Sequence, residues 1–107
     1  MSRDSLTRMT KIEVVARTAD SDAVRRQIVA SGATGYTSLP AVTGLGHHGA
    51  HEGRALFNDR DALTLTITVV PDDRADDLID GLRSLLERST GVMFVSDTYV
   101  SRPHYFS

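Results

Sequence analysis

Three of the four histidines lie in one glycine-rich segment, Gly44 to Gly53, which also holds four of the eight glycines. Histidine titrates near neutral pH and binds metals or anions. Glycine lets the backbone come close to a ligand. The residue types therefore allow a metal site, a phosphate-binding backbone, or a loop of solvated polar residues.

Each of these interpretations uses a different set of atoms. Zinc or copper would be ligated by His47, His48, His51 and Glu52. Phosphate would be held by the backbone amides of Gly44, Leu45 and Gly46, with His47 and His48 beside them as donors. No nucleophile–base pair can be placed anywhere in the chain, so the sequence predicts a binding protein and not an enzyme, with no catalytic residues.

The periodicity around this segment predicts a small α+β domain. Alternating apolar residues indicate strands over Lys11–Arg17, Tyr36–Val42, Leu63–Val70 and Gly91–Val100. Apolar stripes indicate two helices, the first with Val24, Ile28 and Val29, and the second following Pro71 with Ala75, Leu78, Ile79, Leu82, Leu85 and Leu86. The order βαββαβ predicts a ferredoxin-like fold with a four-stranded antiparallel sheet.

Two details of the strands bear on assembly. Pro40 has no backbone N–H to donate to a neighbouring strand, so the second strand is expected to lie at an edge of the sheet or to be bulged at Pro40. In the third strand, Thr64, Thr66 and Thr68 alternate with larger apolar residues. We expect the threonine face to lie uncovered by helices and to pack against another copy of the chain, with a solvated face as the alternative.

Composition excludes several classes of function. The 107 residues carry a net charge of −2, which gives no electrostatic case for nucleic-acid binding. Cysteine is absent and no apolar run is long enough to span a bilayer, so a cytoplasmic protein is expected. We expect residues 1–9 to be a disordered leader, residues 10–102 the domain, and residues 103–107 a tail. In the tail, His104, Tyr105 and Phe106 either contact a neighbour or a ligand, or form a disordered terminus.

Five segments occur in an order and at separations that resemble the PII signal-transduction superfamily. They are Lys11-Ile12-Glu13, Gly35-Tyr36-Thr37, Gly44-Leu45-Gly46, Val69-Val70-Pro71-Asp72-Asp73 and Gly91-Val92-Met93-Phe94-Val95. The resemblance implies a homotrimer that binds adenine nucleotides in clefts between protomers. It also implies that the long loop after the second strand, the T-loop (residues 47–61), docks on a target protein.

The resemblance also implies which residues contact the nucleotide. They are Gly35, Tyr36, Thr37, Gly44, Leu45, Gly46, His47, His48, Val69, Thr90, Gly91, Val92 and Arg102. Among these, Thr37 is expected to donate its hydroxyl to adenine, and His47 and His48 occupy the positions of the family's arginine and magnesium-binding glutamine. Arg102 falls near arginines that reach phosphate from a neighbouring protomer.

Departures from the family pattern reduce the number of adenine nucleotides that are expected to bind. A lysine that grips phosphate in nitrogen-sensing members is replaced by Val92, and a second lysine, which serves ATP and 2-oxoglutarate there, falls near Leu63. Losing two cations weakens triphosphate binding, so ADP or AMP is favoured over ATP. This profile resembles the PII-like branch associated with bicarbonate transporters and carboxysomes. It implies a sensor that acts on a transporter or another partner in inorganic-carbon metabolism.

Bicarbonate would be held by Gly46, His47, Arg60 and Arg102. The alternative function is a divalent-metal-binding trimer of the same fold that uses the histidine-rich loop.

Overall fold

The computed structural model describes residues 2–43 and 62–107. Within them the chain forms one antiparallel sheet of four strands in the order β2-β3-β1-β4, with two helices. The elements are β1 (Thr7–Arg17), α1 (Ser21–Ala30), β2 (Thr37–Val42), β3 (Leu63–Val70), α2 (Asp72–Leu86) and β4 (Val92–Val100). The predicted α+β ferredoxin-like fold is confirmed.

The first strand begins earlier than the sequence predicted. Residues Arg3–Ser5 form a short 3-10 helix, and β1 starts at Thr7, inside the segment expected to be a disordered leader. Thr7 pairs with Val100 and Met9 pairs with Thr98, and Met9 is only 5% exposed. The polar sequence gives no alternation here, but β4 is long enough to pair with it.

The core lies between the two helices and one face of the sheet. It contains Ile12, Val14, Ala16, Val24, Ile28, Val70, Ala75, Leu78, Leu82 and Leu86. The apolar stripe predicted for α2 is confirmed. In α1, however, Val29 is 60% exposed, because the buried face is formed by Ser21, Val24 and Ile28, which recur at helical spacing. Gly32 ends α1 with a φ of +88°, as its position after the helix predicts.

The two faces of β3 are the reverse of the prediction. Thr64, Thr66 and Thr68 are buried, at 4%, 2% and 2% exposure, while the larger apolar residues between them are half-buried. Pairing with β1 decides this, because each threonine lies opposite a core residue of β1: Ala16, Val14 and Ile12. The expectation that the threonine face is uncovered was therefore wrong.

The uncovered face of the sheet is apolar instead. Strand pairing places Leu39, Leu65, Ile67, Val69, Val15, Val92 and Phe94 on it. Phe94 is 57% exposed and Val92 is 50% exposed, so this chain alone does not bury them. A Lys11–Glu13 ion pair, 3.8 Å between Nζ and Oε1, crosses the middle of this face.

Strand β2 is an edge strand and is also irregular at the predicted place. The register shifts between Pro40 and Val42, and Ala41 has a φ of +60°. The extra residue accommodates a proline that cannot donate to the ladder. None of the helices in the described residues has the length and apolar character needed to cross a membrane.

Candidate functional site

Much of the glycine- and histidine-rich segment lies outside the described residues. This applies to the T-loop and to Gly44, Leu45, Gly46, His47, His48, His51, Glu52 and Arg60. In residues 2–43 and 62–107, no group of three or more histidine, aspartate or glutamate side chains is arranged to hold a metal ion. The site can therefore be built from Gly35–Thr37, Val69, the segment 90–92 and Arg102.

The Gly35–Thr37 segment leads from the α1–β2 coil into the edge strand. Thr37 lies opposite Ile67 of β3, which places its side chain on the uncovered face, together with Val69. Tyr36 is 44% exposed. A Cβ built on Gly35 would meet no atom within 4 Å, so the space beside this glycine is open to a ligand. The structure thus groups Gly35, Tyr36, Thr37 and Val69 at the β2 edge.

Three side-chain hydrogen bonds hold the coil before this segment. Arg74 Nη1 donates to the Gly32 carbonyl over 3.2 Å, Thr34 Oγ1 donates to the Tyr105 carbonyl over 2.6 Å, and Thr68 Oγ1 donates to the Gly35 carbonyl over 2.7 Å. Sequence reasoning missed all three. The alternating threonines of β3 were the available signal, but they were assigned to the wrong face.

The C-terminal tail returns from β4 to the same coil. Residues Pro103–Tyr105 form a 3-10 helix, and Thr34 binds the Tyr105 carbonyl. The Arg102 guanidinium carbon lies 5.6 Å from the centre of the Tyr105 ring, and its Nη1 lies 3.3 Å from the Tyr105 hydroxyl. The tail therefore brings Arg102 to the side of the molecule that carries Gly35, although the two are far apart in sequence.

The predicted phosphate loop lies at the opposite edge of the sheet. Thr90 and Val92 are exposed, and the Gly91 amide donates to Ser89 Oγ over 3.0 Å. A Cβ on Gly91 would lie 2.7 Å from Leu86 Cδ2 and 3.0 Å from Ala16 Cβ. Packing inside the protomer therefore disfavours any side chain at this position. The structure does not bring segment 90–92 together with Gly35–Thr37 within one chain.

A groove that the sequence did not predict lies between α2 and β4. It has a volume of about 560 Å³ and is lined by Arg8, Thr10, Asp72, Ala75, Asp76, Ile79, Val95, Ser96 and Asp97. Arg8 forms ion pairs with both Asp72 and Asp97.

The charge of this groove excludes it as a phosphate site. The hydrogen bond from Thr10 Oγ1, 2.7 Å long, and the neighbouring Arg8 guanidinium lower the pKa of Asp72. The charge of Asp72, followed by that of Asp97, raises the pKa of Arg8. Three carboxylates thus face one guanidinium, which disfavours an anionic ligand.

Fold and site define a ferredoxin-like protein whose candidate ligand residues are divided between the two edges of its sheet. Residues 9–105 match the family model described as nitrogen regulatory protein P-II. This match covers most of the chain, and the chain belongs to the P-II family of regulatory proteins. No sequence among the curated proteins matches it significantly.

Solved structures place the chain in the PII-like branch of the family. CPII from Thiomonas intermedia K12, a PII-like protein solved with ADP, AMP and bicarbonate, is 32% identical, with a TM-score of 0.80 over 94% of this chain and 95% of that one. CPII with ADP and bicarbonate is also 32% identical, with a TM-score of 0.80 over 95% and 97%. B. subtilis GlnK with ATP is 22% identical, with a TM-score of 0.62 over 88% and 83%, a likeness in fold alone.

Proposed function

We propose that the chain forms a homotrimer that binds ADP or AMP in clefts between protomers and signals through its T-loop. The observation that carries this proposal is the separation of the two halves of the site. Thr37 lies on β2 and Val92 on β4, and these are the two edge strands. Three interstrand spacings separate them, about 14 Å. A second protomer that sets its β4 edge beside β2 would complete the site.

The uncovered sheet face supports assembly from several copies. Leu65, Ile67 and Phe94 lie on a largely apolar surface that one protomer does not bury, although Glu13 lies between Ile67 and Phe94. Surfaces of this kind usually mark protein interfaces. Packing this face against other copies would bury it and would also align neighbouring edges.

The ligand is proposed from the relatives and from local charge. The two CPII structures compared above both contain ADP with bicarbonate, and one of these two contains AMP as well. The resemblance implies that nitrogen-sensing members place lysines at the position of Val92 and near that of Leu63. Arg17, which pairs with Leu63 across the strands, is already engaged by Asp20 at 3.3 Å. Fewer cations for phosphate favour a mono- or diphosphate over ATP.

Bicarbonate is the proposed second ligand, held by Gly46, His47, Arg60 and Arg102. Of these, Arg102 is described, and its guanidinium already lies against Tyr105. The T-loop would then act on a transporter or another partner in inorganic-carbon metabolism, in the cytoplasm. Ligands shift such a loop only by binding its conformations with different affinities.

Calorimetry with ADP, AMP and ATP, each with and without bicarbonate, tests the proposed ligands. ADP and AMP should bind more tightly than ATP. Heat from none of the three nucleotides would overturn the proposal.

Light scattering tests the assembly, which should have about three times the 11.6 kDa protomer mass. Leu65→Asp places a charge on the uncovered face and should break the trimer and abolish nucleotide binding. Val29→Asp, at a residue that is 60% exposed on α1, is the matched control and should do neither. A monomeric Leu65→Asp variant that binds ADP with wild-type affinity would contradict the divided site.

Limited trypsin digestion tests signalling by the T-loop. Arg54 and Arg60 are cleavage sites in that segment. Their cleavage rates should change on adding ADP with bicarbonate. Unchanged rates at saturating ligand would contradict a ligand-responsive loop.

A further inference from the structure

The coil between α1 and β2 is fixed by side chains. Outside the helices and strands of the described chain, no backbone–backbone hydrogen bond involves residues 33–36. The position of this coil therefore depends on the three side-chain hydrogen bonds to Gly32, Gly35 and Tyr105. Any contact that Gly35–Thr37 makes with a ligand would therefore depend on the same three hydrogen bonds.

Thr68 differs from the other two donors in its surroundings. Thr34 and Arg74 make their hydrogen bonds at exposed positions, whereas Thr68 is 2% exposed on the interior strand β3. It lies opposite Ile12, which is fully buried. A hydroxyl held in a packed interior has few alternative positions, so it fixes its partner more firmly than a surface side chain does.

The direction of this hydrogen bond determines which backbone group the coil presents outward. Thr68 draws the Gly35 carbonyl towards the covered side of β3. The peptide bond is trans, so the Tyr36 N–H points the opposite way. None of the hydrogen bonds between described residues uses this N–H. Within the part of the chain that the structure describes, it is left for an acceptor beside the open space at Gly35.

We infer that Thr68 is a positioning residue for the nucleotide site and that it holds the Tyr36 N–H in place for an acceptor on the adenosine part of the ligand. This inference rests on the proposed function, because Gly35–Thr37 is its proposed adenine-contacting segment. A second buried threonine of β3 holds β2 in a similar way, because Thr66 Oγ1 and Ser38 Oγ share a hydrogen bond of 3.3 Å.

The test compares three variants by ADP and AMP affinity and by the NMR chemical shifts of the Tyr36 and Thr37 amides. Thr68→Val keeps the shape and removes the donor, while Thr68→Ser keeps the donor. Thr64→Val is the matched control, since Thr64 is also buried on β3 but shares its hydrogen bond with Thr18 at 2.8 Å.

Thr68→Val should weaken ADP and AMP equally, by roughly two- to tenfold, the equivalent of one hydrogen bond. It should also shift the NMR resonances of both amides, because it releases the Gly35 carbonyl of the adjoining peptide, and Thr68→Ser should restore wild-type values. Unchanged affinity and resonances in Thr68→Val, or the same changes in Thr64→Val, would overturn the inference. The NMR experiment needs no nucleotide, so it decides the positioning role separately. A wild-type chain that binds no adenine nucleotide overturns the proposed function alone.

Discussion

Gly35 and Gly91 lie in the two halves of the proposed cleft but are glycines for different reasons. At Gly35 an added Cβ would meet nothing within 4 Å, whereas at Gly91 it would meet Leu86 Cδ2 at 2.7 Å. The β2 edge therefore leaves space outside the protomer, and the β4 edge uses all of its space for its own core. A glycine in a ligand-binding motif is thus not by itself evidence of ligand contact.

The largest effect on folding is expected at the β4 edge. Gly91→Ala should lower the free energy of unfolding by about 1–3 kcal/mol, because the new methyl group overpacks Leu86 and Ala16. Urea denaturation of the apo protein measures it. Equal stability of Gly91→Ala and wild type would show that the segment around Gly91 shifts to admit the methyl group. Packing would then constrain Gly91 no more than it constrains Gly35.

Gly35→Ala should show the opposite pattern. The methyl group enters empty space, so the urea midpoint of the apo protein should stay at the wild-type value. ADP affinity should fall about tenfold, because the methyl group competes with the ligand for that space. Calorimetry measures the affinity, and wild-type affinity would place the ligand away from this glycine.

Val92→Lys tests whether position 92, on the β4 edge, contacts the phosphate of a bound nucleotide. A lysine there adds a cation at a half-exposed position, so ATP affinity should rise relative to AMP affinity by about 1–2 kcal/mol. Val95→Lys is the control, since Val95 lies on the same strand, is 46% exposed and lines the groove instead of the uncovered face. An equal gain in both variants would indicate general electrostatic attraction and not a phosphate contact.

The smallest effect is expected in the groove between α2 and β4, whose lining includes none of residues 35–37 and 90–92. Asp72→Asn removes the carboxylate that Thr10 and Arg8 hold ionised. The folded-state pKa of Asp72 is lowered, so its stabilising contribution is present above its unfolded pKa, about 3.9, and is lost as pH falls through the folded value.

Urea midpoints for this variant and wild type should therefore differ at pH 7 and converge in acid. Asp73→Asn changes the neighbouring residue, for which no ion pair is found among the described residues. A pH-independent difference between Asp72→Asn and wild type would exclude titration of Asp72 as its cause.

The proposed binding segments could be predicted from the sequence only in part. Gly35-Tyr36-Thr37 and Gly91-Val92 were identified from motif order, and the fold that carries them was confirmed. Their anchoring was not accessible, because Thr34, Thr68 and Tyr105 belong to three different segments of the chain. Hydrogen bonds between such distant segments leave no local pattern.

The sequence by itself determined the elements, since period-2 alternation and 3.6-residue stripes are local properties of the chain. It also determined the end of α1 at Gly32 and the irregularity at Pro40, because backbone freedom and a missing donor act within one residue. The tertiary structure alone decided which face of β3 is covered. Alternation fits either face, and only the register with β1 turns the threonines inward, where Thr68 reaches Gly35.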